Sequence, residues 1–361
     1  MAFLYRPDTR IYDPFSNYID EQSTLRSKFV ASGLVSNNPV IAQNVRKGDA
    51  FKIPNWQPNL QGDVQIPKEG YPLTVNKLGS NEQKGVVFHR ANVWGSSDLA
   101  KMAVGAENDP MAAIGRRISD WVLWADQLDI LATLSGVFGA LGTSNAGAAF
   151  ADMCVDASGS GETDFSVSHV VRADGILGED ADTFGIIVVP PAINSYLRIR
   201  EMINYVSAKD LPGITASTAA AGSITSSNAV DGDFSKAFSS NGLVPMFGSK
   251  AVIVSDNAPR HGTSGAYKYG VYVFKPGALG QAFQDPVRTE GDRDILTGGG
   301  EDILKVQWDK CIHPLGASWV GSIPEGGPSA ANLANPENWA KIFDKKNIGV
   351  ARITCTCPIE L

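Results

Sequence analysis

The hydrophobic and polar positions of residues 109–138, DPMAAIGRRISDWVLWADQLDILATLSGVF, repeat with a helical period over a long run. Ile114, Ile118, Trp121, Ala125, Leu128, Ala132 and Ser135 fall at three- and four-residue spacing, and Trp124, Leu131, Leu134 and Phe138 widen that stripe toward the end. Leu123, Ile130 and Val137 recur on another side, which predicts a helix covered on more than one side. Asp109 can cap it, Pro110 suits its first position, and Gly139 and Gly142 mark its end. At 1.5 Å per residue the helix reaches about 45 Å, whereas helices of globular domains average nearer three turns.

Other patterns surround this helix. Residues 1–48 mix Pro, Asn, Ser and charge with scattered anchors (Phe15, Ile19, Leu25, Phe29) and read as an extended arm with one short helix. Residues 50–85 carry Pro54, Pro58, Pro67 and Pro72 among alternating segments such as DVQIP and LTVNKL, the pattern of a projecting β-hairpin. An isolated two-stranded hairpin is marginal in water, so both arm and hairpin need a surface to rest on. GVVFHRANVW (85–94) predicts a strand, followed by a short helix capped by Ser96 or Ser97. Further on, 167–179 predicts a helix, 183–191 a buried strand, 192–207 a second helix, and 249–256 and 267–275 strands. Residues 284–300 and the following EDILKVQWDKCIHP predict a second hairpin with a charged tip. The stretches 140–165 and 207–245, rich in Gly, Ala, Ser and Thr, read as surface loops or inserted lobes. Mixed helices and strands of buried and alternating type point to an α+β fold.

Composition narrows the function. A hydrophobic share of 43% and a charged share of 19% in 361 residues describe a folded chain of about two domains. The net charge of -7 and the absence of a Lys/Arg cluster argue against tight nucleic-acid binding. Arg6, Asp8 and Arg10 interrupt what would be a secretion signal, and no apolar run reaches membrane-spanning length, so a soluble protein with no membrane partner is expected.

Catalytic patterns are missing. HGTSGA has Ala266 where a nucleophile elbow needs glycine, no phosphate-cradling loop occurs, and Gly298, Gly299 and Gly300 join charged segments. His89, His169, His261 and His313 stand far apart, and Cys154, Cys311, Cys355 and Cys357 form no ligand pair of zinc spacing. No enzyme, cofactor or metal is expected.

The order of parts, namely arm, proline-spaced hairpin, strand, short helix, very long helix, sheet domain, charged hairpin and returning strand, resembles the major capsid proteins of tailed bacteriophages, with their Hong Kong 97-like capsid fold. KGVVFHRANVWGSSDLAKMAVGAENDPMAAIGRRISDWVLWADQLDILATLSGVFGA (84–140) resembles the end of their extended loop and their spine helix. ADTFGIIVVPPAINSYLRIREM (181–202) resembles the strand and helix of their axial domain. KYGVYVFKPGALG and GDRDILTGGGEDILKVQWDKCIHPLGASW resemble the later strands and the peripheral hairpin.

The resemblance implies an N-terminal arm (1–49), an extended loop (50–95), a peripheral domain (96–140 and 281–315) and an axial domain (141–280 and 316–361). It implies pentamers and hexamers that close an icosahedral head around double-stranded DNA, touched only by weak non-specific contact. The partners it implies are a separate scaffolding protein, because residues 1–48 are too short for a built-in one, together with a portal and a cement or decoration protein. Assembly in the host bacterial cytoplasm and residence in the virion follow. Across subunits, Trp56 and Tyr71 would serve as apolar anchors, Asp63, Lys68, Glu69 and Lys84 as polar pins, and Arg288, Glu290, Asp292, Arg293 and Asp294 as a charged tip meeting symmetry mates. An encapsulin-like nanocompartment shares these features, and a cytosolic α/β hydrolase with a dispersed active site is the alternative from another class.

Overall fold

The computed structural model describes residues 34–45, 48–56, 64–67, 69–70, 72–104, 110–142, 147–157, 163–207, 243–263, 267–296 and 300–359. Residues 1–33 of the arm expected over 1–49, and most of the Gly/Ala/Ser-rich stretch 207–245, lie outside the described residues. In chain order the elements are β1 (Val35–Asn37), α1 (Pro39–Asn44), β2 (Ala50–Trp56), β3 (Ser80–Val86), β4 (Phe88–Ser97), α2 (Asp98–Val104), α3 (Pro110–Phe138), β5 (Cys154–Asp156), α4 (Val167–Gly175), β6 (Ile186–Val189) and α5 (Pro191–Ile199). They continue with β7 (Asn204–Ser207), β8 (Leu243–Phe247), β9 (Lys250–Val254), β10 (Arg260–His261), β11 (Lys268–Phe274), β12 (Leu279–Asp294), β13 (Glu301–Pro314), β14 (Ala317–Trp319), α6 (Ala330–Ala334), β15 (Trp339–Lys341) and β16 (Val350–Thr356).

The long helix α3 spans 29 residues and changes surroundings along its length. Its N-terminal half lies on a four-stranded sheet of order β1-β12-β13-β4. There Ile118 and Val122 are buried with Val306 and Trp308, and Trp121 is held edge-on between Trp94 (centroids 4.9 Å apart) and Trp308 (5.6 Å). Leu123 was expected on a covered side, but it is 39% exposed and faces an open apolar groove with Val287 and Leu304. Only the C-terminal half is enclosed, where Ile130, Leu134, Val137 and Phe138 enter the main core.

Close approach and capping fix that end. A Cβ on Gly136 would lie 2.0 Å from the carbonyl oxygen of Leu333, so only glycine lets α6 cross the helix here. Gly139 turns the chain at φ 79°. The guanidinium of Arg352, itself 1% exposed, donates to the carbonyls of Phe138 and Gly139. These are among the acceptors a helix end leaves unsatisfied, and a cation there meets the negative end of the helix dipole.

The second layer is an eight-stranded sheet running β5-β16-β11-β6-β9-β8-β7, with β10 paired to β11. Its central strands read as unbroken apolar runs (IIVV in β6, VYVF within β11), as expected of strands covered on both faces. Of the helix expected over 192–207, only α5 forms. Glu201 adopts a left-handed φ of 55°, and Asn204–Ser207 pairs with β8 as a strand, a better fit for its adjacent Tyr and Val. Residues 34–45, assigned to the arm, belong to the body: β1 adds in parallel to β12, and Ile41 is buried under the loop base. Residues 88–95, assigned to the extended loop, are hydrogen-bonded to β13 as an edge of the four-stranded sheet.

Candidate assembly surface

The projecting segment begins as a regular ladder, with β2 and β3 antiparallel from Ala50↔Val86 to Trp56↔Ser80. Its base has a small core of its own. Phe51, Ile53 and Val87 are buried with Ile41, Val45, Ala282 and Cys311. Gly85 sits opposite Phe51, and a Cβ there would come within 2.3 Å of the ring. Hydrogen bonds tie β3 to the body: the Lys84 N–H donates to Ser318 Oγ (3.0 Å), and Gln83 Oε1 accepts from the Gly316 N–H (3.1 Å) and from His313 Nε2 (3.2 Å).

Beyond the base the two arms stay linked, since Thr74 N–H donates to Gln65 Oε1 (2.7 Å) and Gln65 Nε2 donates to the Thr74 carbonyl (2.8 Å). Nothing among the described residues covers the apolar side chains here. Trp56 is 69% exposed, Val64 98%, Ile66 79% and Val75 90%, with Leu73 and Leu78 also exposed. Scattered exposed hydrophobes are ordinary, but a series along one projection marks a contact surface.

The residues anticipated for this surface fare unevenly. Trp56 stands exposed at the end of the ladder and Glu69 is exposed further out. Asp63, Lys68 and Tyr71 lie outside the described residues. Lys84 belongs to the anchored base, through its backbone. Val64, Ile66, Leu73 and Val75 were not singled out, although the alternation in DVQIP and LTVNKL displays them.

The charged hairpin needs a correction. Arg288, Glu290, Asp292, Arg293 and Asp294 do not form its tip, because they are strand residues paired with Gln307, Lys305, Ile303, Asp302 and Glu301. The exposed residues that follow the strand are Ile295 and Leu296, 75% and 93% exposed. Arg293 is held inside the subunit by Asp98 (2.5 Å) and Asp302 (2.9 Å), and Arg288 by Asp285 (2.6 Å). The Lys101 ammonium, hydrogen-bonded to Asp302, holds that carboxyl below its usual range. Asp292 and Asp294 accept the backbone N–H of Arg293 and Leu296. Both arginines of the charged run are thus paired within the subunit.

The remaining polar residues serve the fold. His89 bridges Asp309 (2.8 Å) and Asp49 (3.4 Å), and His169 completes a capping box with Ser166. Among the described residues no group of three His, Cys, Asp or Glu could hold a metal ion, and no helix is long and apolar enough to cross a membrane. His313 is 1% exposed, beside Phe51 and with Nε2 3.2 Å from Gln83 Oε1. Burial pulls it down to about 4.

A histidine kept neutral in this way contributes stability that is complete above its unfolded value near 6.5. That stability is lost as pH falls from there toward 4, because only the unfolded chain takes up the proton. The full loss is about 3 kcal/mol. Denaturant unfolding of the unassembled subunit at pH 7 and pH 4.5 should show this acid limb, and His313→Asn should flatten it.

No family model matches the chain. It is 28% identical to the major capsid protein of Bacillus phage SPP1 across 98% of each chain. Among solved structures it is similar to the capsid of Ralstonia phage GP4 (TM-score 0.58, 12% identity, 100% of both chains). It is also similar to the capsid asymmetric unit of cyanophage Pam1 (TM-score 0.57, 11% identity, 99% of both chains). The head structure of Helicobacter pylori bacteriophage KHP40 matches with TM-score 0.56 and 11% identity over 97% of this chain and 95% of that one. The α+β chain with its projecting hairpin, long helix and mixed sheet therefore has the Hong Kong 97-like fold of these capsids.

Proposed function

We infer that this chain is the major capsid protein of a tailed phage, a structural subunit of the icosahedral head. The observation that carries this reading is end-to-end likeness: the SPP1 capsid protein is matched over 98% of both chains, so loop, helix and sheets are all included. The exposed apolar loop fits the same role, because a projection with no cover of its own gains one from a neighbouring copy.

Copies form pentamers and hexamers, and the loop between β2 and β3 lies across the adjacent subunit. Trp56, Tyr71, Val64, Ile66 and Val75 supply the apolar contact, with Asp63, Lys68, Glu69 and Lys84 as polar pins. The hairpin bearing Arg288, Glu290, Asp292, Arg293 and Asp294 approaches symmetry mates through Ile295 and Leu296, with Arg288 and Arg293 already paired within the subunit. A net charge of -7 leaves packaged DNA only weak non-specific contact with the shell. A separate scaffolding protein, a portal and a decoration protein complete the head, which is built in the host cytoplasm and resides in the virion.

Electron microscopy of the purified protein, alone and with a co-expressed scaffold, tests this directly. Closed shells of uniform diameter are expected, and a compact monomer that stays monomeric under both conditions would overturn the assignment.

A further inference from the structure

Gln83 is 2% exposed, and its side chain bonds both to the body and to the facing strand of the loop base. Its Oε1 accepts from the Gly316 N–H at 3.1 Å and lies 3.2 Å from His313 Nε2. The Gly316 donor identifies that end of the amide as oxygen, so His313 Nε2 carries its proton toward it. The amide nitrogen of Gln83 reaches Asn55 Oδ1 on the facing strand at 3.5 Å. The turn it grips has little room to shift: Gly316 sits at φ 95°, and a Cβ there would be 3.2 Å from Ile348 and Phe343. Phe51, edge-on to His313, closes the same junction from β2.

We propose that Gln83 is the positioning residue of the loop, fixing through its carbonyl oxygen the angle at which the hairpin leaves the body. A strand advances about 3.3 Å per residue, so a rotation of about 5° at the base moves a point ten residues out by roughly 3 Å. That displacement is enough to miss a packed contact. The effect on assembly rests on the reading that the loop contacts a neighbouring copy, whereas the anchoring itself is a property of one subunit.

Two variants of the full chain separate these. Gln83→Leu keeps the bulk and removes the acceptor, whereas Gln83→Glu keeps oxygens that can accept from Gly316 and His313. Amide hydrogen exchange of the unassembled subunit is read across residues 50–56 and 80–86 against 268–274 as control. The diameter distribution of assembled particles is read by cryo-electron microscopy. In Gln83→Leu, exchange at the loop base should accelerate roughly tenfold, equivalent to about 1.4 kcal/mol, with the control strand unchanged and the particles heterogeneous. Gln83→Glu, whose buried carboxyl stays protonated at pH 5 and then offers both an acceptor and a donor as the amide does, should stay near wild type in exchange when all variants are compared at that pH.

Should the Leu variant not fold, Gln83→Asn, one methylene too short to reach both donors, is expected to show the same contrast. Unchanged exchange in the Leu or Asn variant, or equal loosening in the Glu variant, overturns the proposal whatever the particles look like. Loosened exchange with uniform particles of normal size supports the anchor and overturns the loop-contact reading.

Discussion

Removing residues 57–79 and joining Trp56 to Ser80 through a two-glycine turn is expected to give a folded subunit that no longer closes shells. The geometry permits the excision, because Trp56 and Ser80 are already ladder partners. The described residues between them are almost all exposed, and the core at the loop base, Phe51 and Ile53 against Ile41, Val45 and Val87, stays intact. The thermal midpoint should therefore move by only a few degrees. Assembly loses far more. Half-burial of Val64, Ile66 and Val75 against a neighbour contributes on the order of 2–4 kcal/mol per contact. Each 1.4 kcal/mol is a factor of ten in association. Sedimentation velocity and calorimetry on the same preparation read both quantities, and normal shells from the shortened chain would remove the loop from the assembly mechanism.

Legibility in the sequence follows the range of the interactions involved. The long helix, the buried strands and the β2–β3 hairpin depend on local periodicity, and they lie near where the pattern of apolar positions puts them. Asn204–Ser207 was lost to the preceding helix because its strand character depends on pairing with β8, far along the chain. The placement of 34–45 likewise depends on a parallel partner some 240 residues away, which no local pattern announces.

Site residues were harder still. Polar and aromatic side chains in the loop drew the eye, but exposure singles out Val64, Ile66 and Val75, and an aliphatic residue in a sequence reads as core until its cover is seen to be missing. Gln83 carried no signal at all, since its role arises only where the turn at Gly316 and the ring of His313 converge on it. Buried cations were equally silent: Arg352 and Lys310 look like surface residues until the carbonyls and the carboxylate they satisfy come into place.

The pair formed by Lys310 and Asp126 carries the second large expectation, because it joins the long helix to the hairpin strand β13. Lys310 is 2% and Asp126 4% exposed, with Nζ 2.6 Å from Oδ2 and the ammonium 5.3 Å from the Phe283 ring centre. One turn along the same helix, Asp129 takes a two-point bond from Arg90 on β4 (2.9 and 3.0 Å), so two neighbouring strands grip one helix face. Asp126→Ala leaves an uncompensated ammonium in the interior and is expected to lower stability by about 3–5 kcal/mol, against a typical total of about 5–15.

Burial raises the Asp126 carboxyl above its ordinary value, and the attraction of Lys310 does not cancel that shift. The double variant Asp126→Leu with Lys310→Met, which fills similar volume without charge, should therefore recover most of the loss or exceed wild type. Denaturant unfolding of the unassembled subunits measures all three proteins. A single variant no less stable than the double would mean that the ammonium finds water or another partner and that the helix is held to the hairpin by its apolar contacts, Ile118, Trp121 and Val122 against Val306 and Trp308. If the double variant is stable yet assembles poorly, the pair serves to orient the hairpin for its neighbours, since a buried ion pair accepts one geometry where apolar side chains accept several.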